Sequence, residues 1–249
     1  GGSAQEHELS ISGRAAKVTF DVKGSGRFDA GRWSGRISHA NISDSDRLNL
    51  RLEAPAAVQA SATSGSVEAV CLRGDLAKLC ASGAFTAAQW NAQASAIQLP
   101  ITALTAGLTP SVEYDGTLSA VASAKGSSNS PWTGEMRMDL TDAALRHKLA
   151  SGRTDTVRLG SGFFNVTAVP GMVNAELKLD AGPGGTIGGS ARAERTGTDP
   201  AAWPVRGQLR AATSELGLIA LYLPEIDRIA GNLNLDAVVG GTLARPEFS

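Results

Sequence analysis

The feature that most constrains the fold is an alternation of apolar and polar residues with a period of two. Between residues 229 and 243 the odd-numbered positions are apolar or glycine, and Asn232, Asn234 and Asp236 lie between them. Successive side chains of a β-strand point to opposite faces of a sheet, so this period indicates strands with one apolar and one polar face. Similar alternation recurs in most parts of the chain. The sequence therefore predicts an all-β protein made of one-sided strands.

The large apolar residues are too few for a thick core that is enclosed on both sides. Leu, Ile, Val and Phe make up about 22% of the chain, near the level at which globular sequences shade into disordered ones. A net charge of −1 together with the strong alternation argues against disorder. We therefore predict an elongated, curled antiparallel sheet, open as a U-shaped groove with an apolar concave face. The predicted lining residues are Ile229, Leu233, Leu235, Val239, Leu243, Val112, Tyr114, Leu118, Trp132, Met136, Met138, Leu140, Val173, Leu177, Leu179, Val205 and Leu209.

Glycines occupy several of the apolar positions in these predicted strands. Gly116, Gly134, Gly207, Gly231 and Gly241 are all in phase with leucine, valine or tryptophan. Glycine weakens a strand and usually marks a bend, a bulge or the close approach of another group. We interpret these glycines as positions at which the sheet curves.

Two segments leave the two-residue period and predict short helices bounded by proline. After Pro100 the apolar residues fall three and four positions apart up to Pro110, and the same spacing precedes Pro224. Proline is favoured in the first turn of a helix and ends a helix that it follows, so each segment predicts a helix of about two to three turns. Each is followed by a glycine-marked strand, which indicates two loose repeats, approximately 4–110 and 111–249, within one continuous β-groove segment.

The chain is expected to be a piece of a longer protein. Residues Gly1–Ser3 are interpreted as a remnant of cloning, and the last strand pattern continues to the end of the sequence without a natural stop. We expect any membrane anchor to lie outside this piece.

The two cysteines, Cys71 and Cys80, lie in a predicted β-hairpin. Placing them opposite each other also sets Leu72 against Leu79, so that the apolar residues share a face. Directly opposed residues of an antiparallel pair come within reach of a disulfide bond. We therefore predict a disulfide and an oxidising compartment. The alternative is a pair of free, buried thiols.

The sequence offers no pattern typical of an enzyme, a metal site or a nucleic-acid-binding surface. His7, His39 and His147 are far apart and lack the spacing of metal ligands. The glycine-rich residues 182–189 lead into another two-residue alternation rather than into a helix, which favours a turn over a phosphate-binding loop. Basic and acidic residues number 23 and 24, so charge gives no reason to expect nucleic acid. We expect a protein without enzymatic activity, metal or cofactor.

The four tryptophans could stack against sugars or pack against the protein itself. Three of them are in phase with apolar neighbours of a predicted strand, which favours a packing or lining role. A carbohydrate-binding β-domain is the alternative.

Several segments together resemble a known family. They are "GNLNLDAVVGGTLARPEF" at the end of the chain, "LPITALTAGLTP" with the strand after it, "WSGRIS", "WTGEMRM" and the cysteine hairpin "VCLRGDLAKLCASGAF". These segments resemble the TamB family, the periplasmic translocation and assembly module proteins of Gram-negative bacteria, within the wider AsmA-like group. The resemblance extends from His7 to Phe248, and its most specific part is Val239 to Leu243.

The resemblance implies a parent protein anchored in the inner membrane, with a long periplasmic β-groove and a C-terminal region that meets the outer-membrane barrel TamA. We expect this chain to be an interior or C-terminal-half segment of it. The implied function is transfer of phospholipid between the membranes, with acyl chains shielded in the groove. The alternative is a chaperone-like module that binds nascent outer-membrane proteins at a strand edge or in the groove. A closed β-sandwich with a structural or adhesive role is a third interpretation.

Overall fold

A computed structural model describes residues 6–15, 18–44, 48–105, 112–128, 130–148, 154–182, 185–214 and 231–249. Within these residues, sixteen strands form one large antiparallel sheet, and the structure is 81% strand. The all-β prediction is therefore confirmed. Neighbouring strands in the sheet follow the order of the chain, except that β5 pairs with both β3 and β6.

The strands, in chain order, are β1 Glu6–Ala15, β2 Val18–Asp29, β3 Arg32–Asp44, β4 Leu48–Leu52, β5 Ala56–Ser61, β6 Ser64–Arg73, β7 Lys78–Thr86, β8 Gln89–Pro100, β9 Val112–Ser127, β10 Ser130–Lys148, β11 Thr154–Val169, β12 Met172–Asp180, β13 Thr186–Glu194, β14 Val205–Thr213, β15 Leu233–Thr242 and β16 Arg245–Phe248. Helix α1 is Ile101–Leu104, and a 3₁₀ turn covers Pro200–Ala202. The chain divides into two compact units. Unit 1 comprises residues 1–103 and 119–134, and unit 2 comprises residues 104–118 and 135–249.

One line of the sheet of unit 1 is made of two short strands with an interruption between them, which we call the crease. Strands β4 and β5 lie along one line of the sheet, because β4 pairs with residues 41–44 of β3 and β5 pairs with residues 32–37. The proline-containing residues 53–55 interrupt that line. The register also shifts nearby, at residues 23–24 between β2 and β3 and at residues 67–70 between β6 and β7. Bulges bend strands and increase their twist, so the interrupted strand and the two register shifts are where this sheet departs from regular pairing.

A small core lies beside the crease, on the apolar face of unit 1. Leu50 is fully buried and packs in one cluster with Ala40, Leu72, Ala77 and Leu99. Leu50 and Leu72 belong to neighbouring strands, while Ala77 precedes β7 and Leu99 lies near the end of β8. This part of the apolar face is therefore covered by the protein's own side chains.

Ion pairs between charged side chains connect the strand ends near this core. The Glu53 carboxylate accepts hydrogen bonds from the Arg73 guanidinium, Nε at 2.8 Å, and lies 2.6 Å from the Lys78 Nζ. The hydrogen bond from Lys78 and then that from Arg73 hold the pKa of Glu53 below its ordinary value. The backbone N–H of Glu53 also donates to the Cys71 carbonyl at 2.8 Å. One carboxylate thus links the end of β4 to β6 and β7.

The predicted disulfide is present. Cys71 in β6 is paired with Cys80 in β7, with a Cα–Cα distance of 4.1 Å. Leu72 lies opposite Leu79, as predicted, with Leu72 buried and Leu79 half-buried on the apolar face. Because neighbouring residues of a strand point to opposite faces, the disulfide lies on the other side of the sheet.

The helix after Pro100 begins where it was predicted, and α1 is the single turn Ile101–Leu104. Its predicted continuation to Pro110 falls mostly outside the described residues. The second predicted helix, before Pro224, also lies outside them.

The long strand expected over residues 229–243 is shorter than predicted. Strand β15 begins at Leu233, Ile229 lies outside the described residues, and Leu243 is in the turn to β16. Gly241 has a φ of +80°, a conformation that residues with a Cβ rarely adopt. Thr242 still pairs with Arg245, so the strand ends at the two-residue turn 243–244 that leads into β16.

Candidate functional site

The register of unit 2 places apolar residues from five consecutive strands on one face. Directly paired residues of antiparallel strands point to the same side of a sheet. Leu177 of β12 lies opposite Phe164 of β11 and Gly189 of β13. Gly189 lies opposite Leu209 of β14, which in turn lies opposite Ala237 of β15. One row of side chains across β11 to β15 is therefore entirely apolar or glycine.

Adjacent rows of the same face have the same character. One row contains Val166, Ala175, Ala191, Gly207 and Val239. A second row contains Gly162, Leu179, Ile187, Ala211 and Leu235. We call this surface, from β11 to β15, the apolar face of unit 2. Most of its side chains are half-buried, and 42% of the Leu235 surface is exposed.

Eight of the predicted lining residues lie on this face. They are Val173, Leu177, Leu179, Val205, Leu209, Leu233, Leu235 and Val239. Val205 differs from the others, because only 6% of its surface is exposed. The register thus brings together predicted residues that are up to 66 positions apart in sequence.

The remaining predicted lining residues lie elsewhere. Val112, Tyr114 and Leu118 are half-buried residues of β9, and Met136, Met138 and Leu140 are half-buried residues of β10. Trp132 also belongs to β10 but lies in unit 1, with 39% of its surface exposed. Leu243, in the turn, is 47% exposed. Ile229 is outside the described residues.

The opposite face of unit 2 is polar, and residues of both faces line a cleft of about 900 Å³. Glu176, Lys178, Arg192, Arg206 and Arg210 contribute to its lining, at positions that alternate with those of the apolar face. The Arg210 Nε donates to Asp236 across the strands at 2.9 Å. Leu177 and Leu235, two of the predicted lining residues, also contribute to this cleft. Because its lining mixes residues of both faces, the apolar face is defined by register and burial rather than by this cleft.

Large side chains on the apolar faces lie over glycines of neighbouring strands. A Cβ added to Gly162 would be 2.9 Å from Leu179 Cδ1, and one added to Gly189 would be 3.2 Å from Leu209 Cδ1. In unit 1 the ring of Phe20 would be 2.5 Å from a Cβ on Gly13. These glycines leave room for a large neighbour to lie along the sheet.

The predicted curvature glycines have more than one role. Gly116 has a φ of +109°, and Gly231 and Gly241 also have positive φ, which suits irregular backbone. At Gly134 and Gly207, an added Cβ would instead collide with the backbone of the neighbouring strand, at Ser123 and Ser190 respectively. The two groups show irregular backbone and close approach of a neighbouring strand, and the interpretation of these glycines as positions of sheet curvature stays a prediction.

Among the tryptophans, Trp203 has the packing role that sequence alternation predicts. Only 7% of its surface is exposed, and the Arg195 guanidinium lies 5.4 Å from its ring centroid. Sequence reasoning missed the pairing of aromatic rings with glycines in unit 1, where the Trp33 ring lies over both Gly26 and Gly35. The available signal was that Gly26 and Trp33 lie on either side of a short turn, which places the ring and the glycine on neighbouring strands of one hairpin.

A model of the family described as "TamB, N-terminal domain" matches residues 1–249, which is the whole chain. The chain belongs to this TamB family. No curated protein and no solved structure matches it. The family description names the N-terminal domain, whereas the sequence analysis predicts a segment from the interior or the C-terminal half of the parent protein.

Membership of the TamB family associates the chain with the translocation and assembly module, with TamA as a partner of that system, and with the bacterial envelope. Within the described part of the chain, no helix is both long and apolar enough to cross a membrane.

Proposed function

We propose that this chain is a periplasmic segment of a bridge-like lipid-transfer protein, and that it shields phospholipid acyl chains between the inner and outer membranes. The observation that carries the proposal is the apolar face of unit 2, which extends in register across five strands. Anchoring of the parent protein in the inner membrane and its contact with TamA complete the proposal.

The dimensions of this face suit an acyl chain. Five strands spaced about 4.8 Å apart cover about 19 Å across the sheet, and the six residue steps from Val173 to Leu179 cover about 20 Å along a strand. Each buried methylene contributes about 0.8 kcal/mol, so ten of them would contribute about 8 kcal/mol before ordering costs. A surface without one deep pocket spreads this free energy evenly, which allows a lipid to slide.

The composition of the face also supports a mobile apolar ligand. Leucine, valine and alanine alternate with glycine, and large side chains such as Leu179 and Leu209 lie over neighbouring glycines. The face offers dispersion contacts but no charged group that would hold an acyl chain in one place. Headgroups can remain in water at the open side.

Photo-crosslinking tests the proposal directly. A photoreactive residue is placed at Leu235 on the apolar face or at Asn234, its neighbour on the polar face, and the protein is irradiated in cells. We expect phospholipid adducts at Leu235 and few at Asn234. Equal labelling at the two positions would contradict the assignment of the apolar face.

The alternative, a module that binds nascent outer-membrane proteins, is favoured by one observation. Strand β1 is ten residues long and pairs only with β2 among the described strands. An exposed strand edge can bind a client strand through backbone hydrogen bonds. Native mass spectrometry of the purified chain separates the two functions, because bound phospholipid supports lipid transfer and bound peptide without lipid supports the chaperone.

A further inference from the structure

Two arginines lie directly opposite each other on the polar face of unit 2. Arg192 of β13 pairs with Arg206 of β14, so both side chains point to the same side of the sheet. Opposed residues of an antiparallel pair have Cβ atoms about 4.5–5.5 Å apart, and like charges at this separation destabilise a sheet. Strand pairing alone therefore gives no reason for two arginines at these positions.

The chain itself does not neutralise this pair. Among the described residues, no hydrogen bond or ion pair engages the guanidinium of Arg192 or that of Arg206, and both side chains are exposed. Arg210 differs, since four residues further along β14 its Nε donates to Asp236 at 2.9 Å. The two positive charges of the pair are thus available to an anionic ligand.

The pair lies in the cleft of about 900 Å³, a volume within the range of small-molecule sites. The charged residues of the cleft lining are Lys178, Arg192, Arg206, Arg210, Glu176 and Asp236. Because Arg210 and Asp236 bind each other, the remaining three basic residues face one carboxylate, that of Glu176. The cleft therefore complements a ligand with about two negative charges.

Neutral hydrogen-bonding side chains surround the arginine pair. The row that contains the pair continues through Asn174 of β12 to Thr167 of β11. The adjacent row contains Asn165, Ser190 and Gln208. All five residues line the cleft. Amide and hydroxyl groups both donate and accept hydrogen bonds, so these side chains suit the hydroxyl groups of a sugar.

We propose that this cleft binds a phosphorylated saccharide, with a phosphate monoester between Arg192 and Arg206. Such a phosphate carries a charge of about −1.5 to −2 at neutral pH and three acceptor oxygens. A guanidinium group binds phosphate through two parallel hydrogen bonds, so one phosphate can bridge the two arginines and offset their repulsion. The saccharide hydroxyls then contact the neutral polar side chains.

The proposal goes beyond the proposed lipid-transfer function and does not depend on it. The side chains that would hold the phosphate and the saccharide belong to the polar face, whereas the proposed acyl-chain surface is the apolar face. A free sugar phosphate and the phosphorylated headgroup of a glycolipid offer the same chemistry, and the two sources are separated by experiment.

Isothermal titration calorimetry at low salt tests the site, with glucose 6-phosphate as the probe and with inorganic phosphate and glucose for comparison. We expect glucose 6-phosphate to bind about tenfold more tightly than inorganic phosphate, because the saccharide adds hydrogen bonds. Glucose alone should not bind measurably. Equal or higher affinity for inorganic phosphate would overturn the saccharide, and absence of binding by both phosphates would overturn the site.

Single substitutions locate the binding. Arg192→Gln and Arg206→Gln should each weaken the binding of glucose 6-phosphate about tenfold or more, because each removes charge-assisted hydrogen bonds. Arg158→Gln is the matched control, since Arg158 is an exposed arginine of β11 outside the cleft lining. It should bind unchanged. An equal loss in Arg158→Gln would indicate diffuse attraction of anions to the surface and would overturn the site.

Melting curves separate a binding role of the pair from a role in folding. Without ligand, Arg206→Gln should melt at the same temperature as the original chain or slightly higher, because the repulsion is removed. Saturating glucose 6-phosphate should raise the melting temperature of the original chain but not that of the variant. A large fall in the melting temperature of the variant without ligand would mean that Arg206 stabilises the fold, which contradicts the proposal.

Vesicle binding distinguishes the two sources of the saccharide. Phosphatidylcholine vesicles with monophosphoryl lipid A present a phosphorylated glucosamine disaccharide that is carried by acyl chains. Stronger cosedimentation with these vesicles than with plain phosphatidylcholine, lost in Arg206→Gln, would assign the headgroup of a glycolipid. Equal cosedimentation with both kinds of vesicle, together with binding of glucose 6-phosphate, would assign a free sugar phosphate.

Discussion

Replacing Leu235 with arginine separates a lipid-binding surface from an ordinary core. Full burial of a leucine side chain contributes about 1.5–3 kcal/mol. Because 42% of the Leu235 surface remains exposed, the folded state gains only a little over half of that, about 1–2 kcal/mol. An arginine at a half-exposed position can extend its guanidinium into water. We therefore expect Leu235→Arg to lower the free energy of unfolding by about 1–2 kcal/mol and to leave the chain folded.

The effect on lipid binding should be much larger, because a charge then projects from the apolar face. Urea denaturation followed by tryptophan fluorescence measures the stability, and binding of a fluorescent phospholipid measures the function. Asn234→Arg is the matched control, since it places the same charge one residue away on the polar face. The reasoning is refuted if Leu235→Arg unfolds the chain, which would make Leu235 a core residue. It is also refuted if lipid binding is unchanged or is weakened equally by Asn234→Arg.

Three further predictions concern unit 1. Leu50→Ala should lower the free energy of unfolding by about 2–5 kcal/mol in urea denaturation, because Leu50 is fully buried. A loss below 1 kcal/mol would mean that the cluster around it does not stabilise the fold. Reduction of the Cys71–Cys80 disulfide should cost roughly 2–3 kcal/mol, because the closed loop is short, and a Cys71→Ser, Cys80→Ser chain should show the same loss without reductant. Glu53→Gln should lower the melting temperature most above the ordinary carboxyl pKa. The native pKa of Glu53 is depressed, so its contribution is present above the unfolded value and is lost as pH falls through the folded value. Melting curves at several pH values check this, and a difference that does not shrink in acid would contradict it.

Much of the fold could be predicted because the two-residue period acts locally. Alternation identifies strands and their apolar sides without any knowledge of which strands pair. The cysteine hairpin went further, since placing Cys71 opposite Cys80 fixed a register that also aligned Leu72 with Leu79. Register inside a hairpin depends on the position of one turn, and a turn can be read from the sequence.

The features that were missed depend on interactions between distant segments or on local backbone geometry. The core around Leu50 combines β4 with Leu99, which no local pattern connects. The register shifts between β2 and β3 and between β6 and β7 are bulges, which alternation along a single strand does not reveal. Leu243 was expected to continue a strand, because alternation counts residues but does not report the turn at residues 243–244. Period alone also could not show a cleft in unit 2 that residues of both faces line.

The glycines connect the fold to the proposed function. A glycine on an apolar face is costly for a strand, because it contributes no packing and more unfolded-state entropy. At Gly65 and Gly126 an aromatic ring of a neighbouring strand occupies the place of the missing side chain, and at Gly162 and Gly189 the backbone of the neighbouring strand approaches closely as well. Side chains that lie along the sheet leave their apolar surface accessible instead of interlocking with a second layer. Interlocking side chains provide stability in a core, whereas an accessible apolar face suits a ligand that must move along the protein.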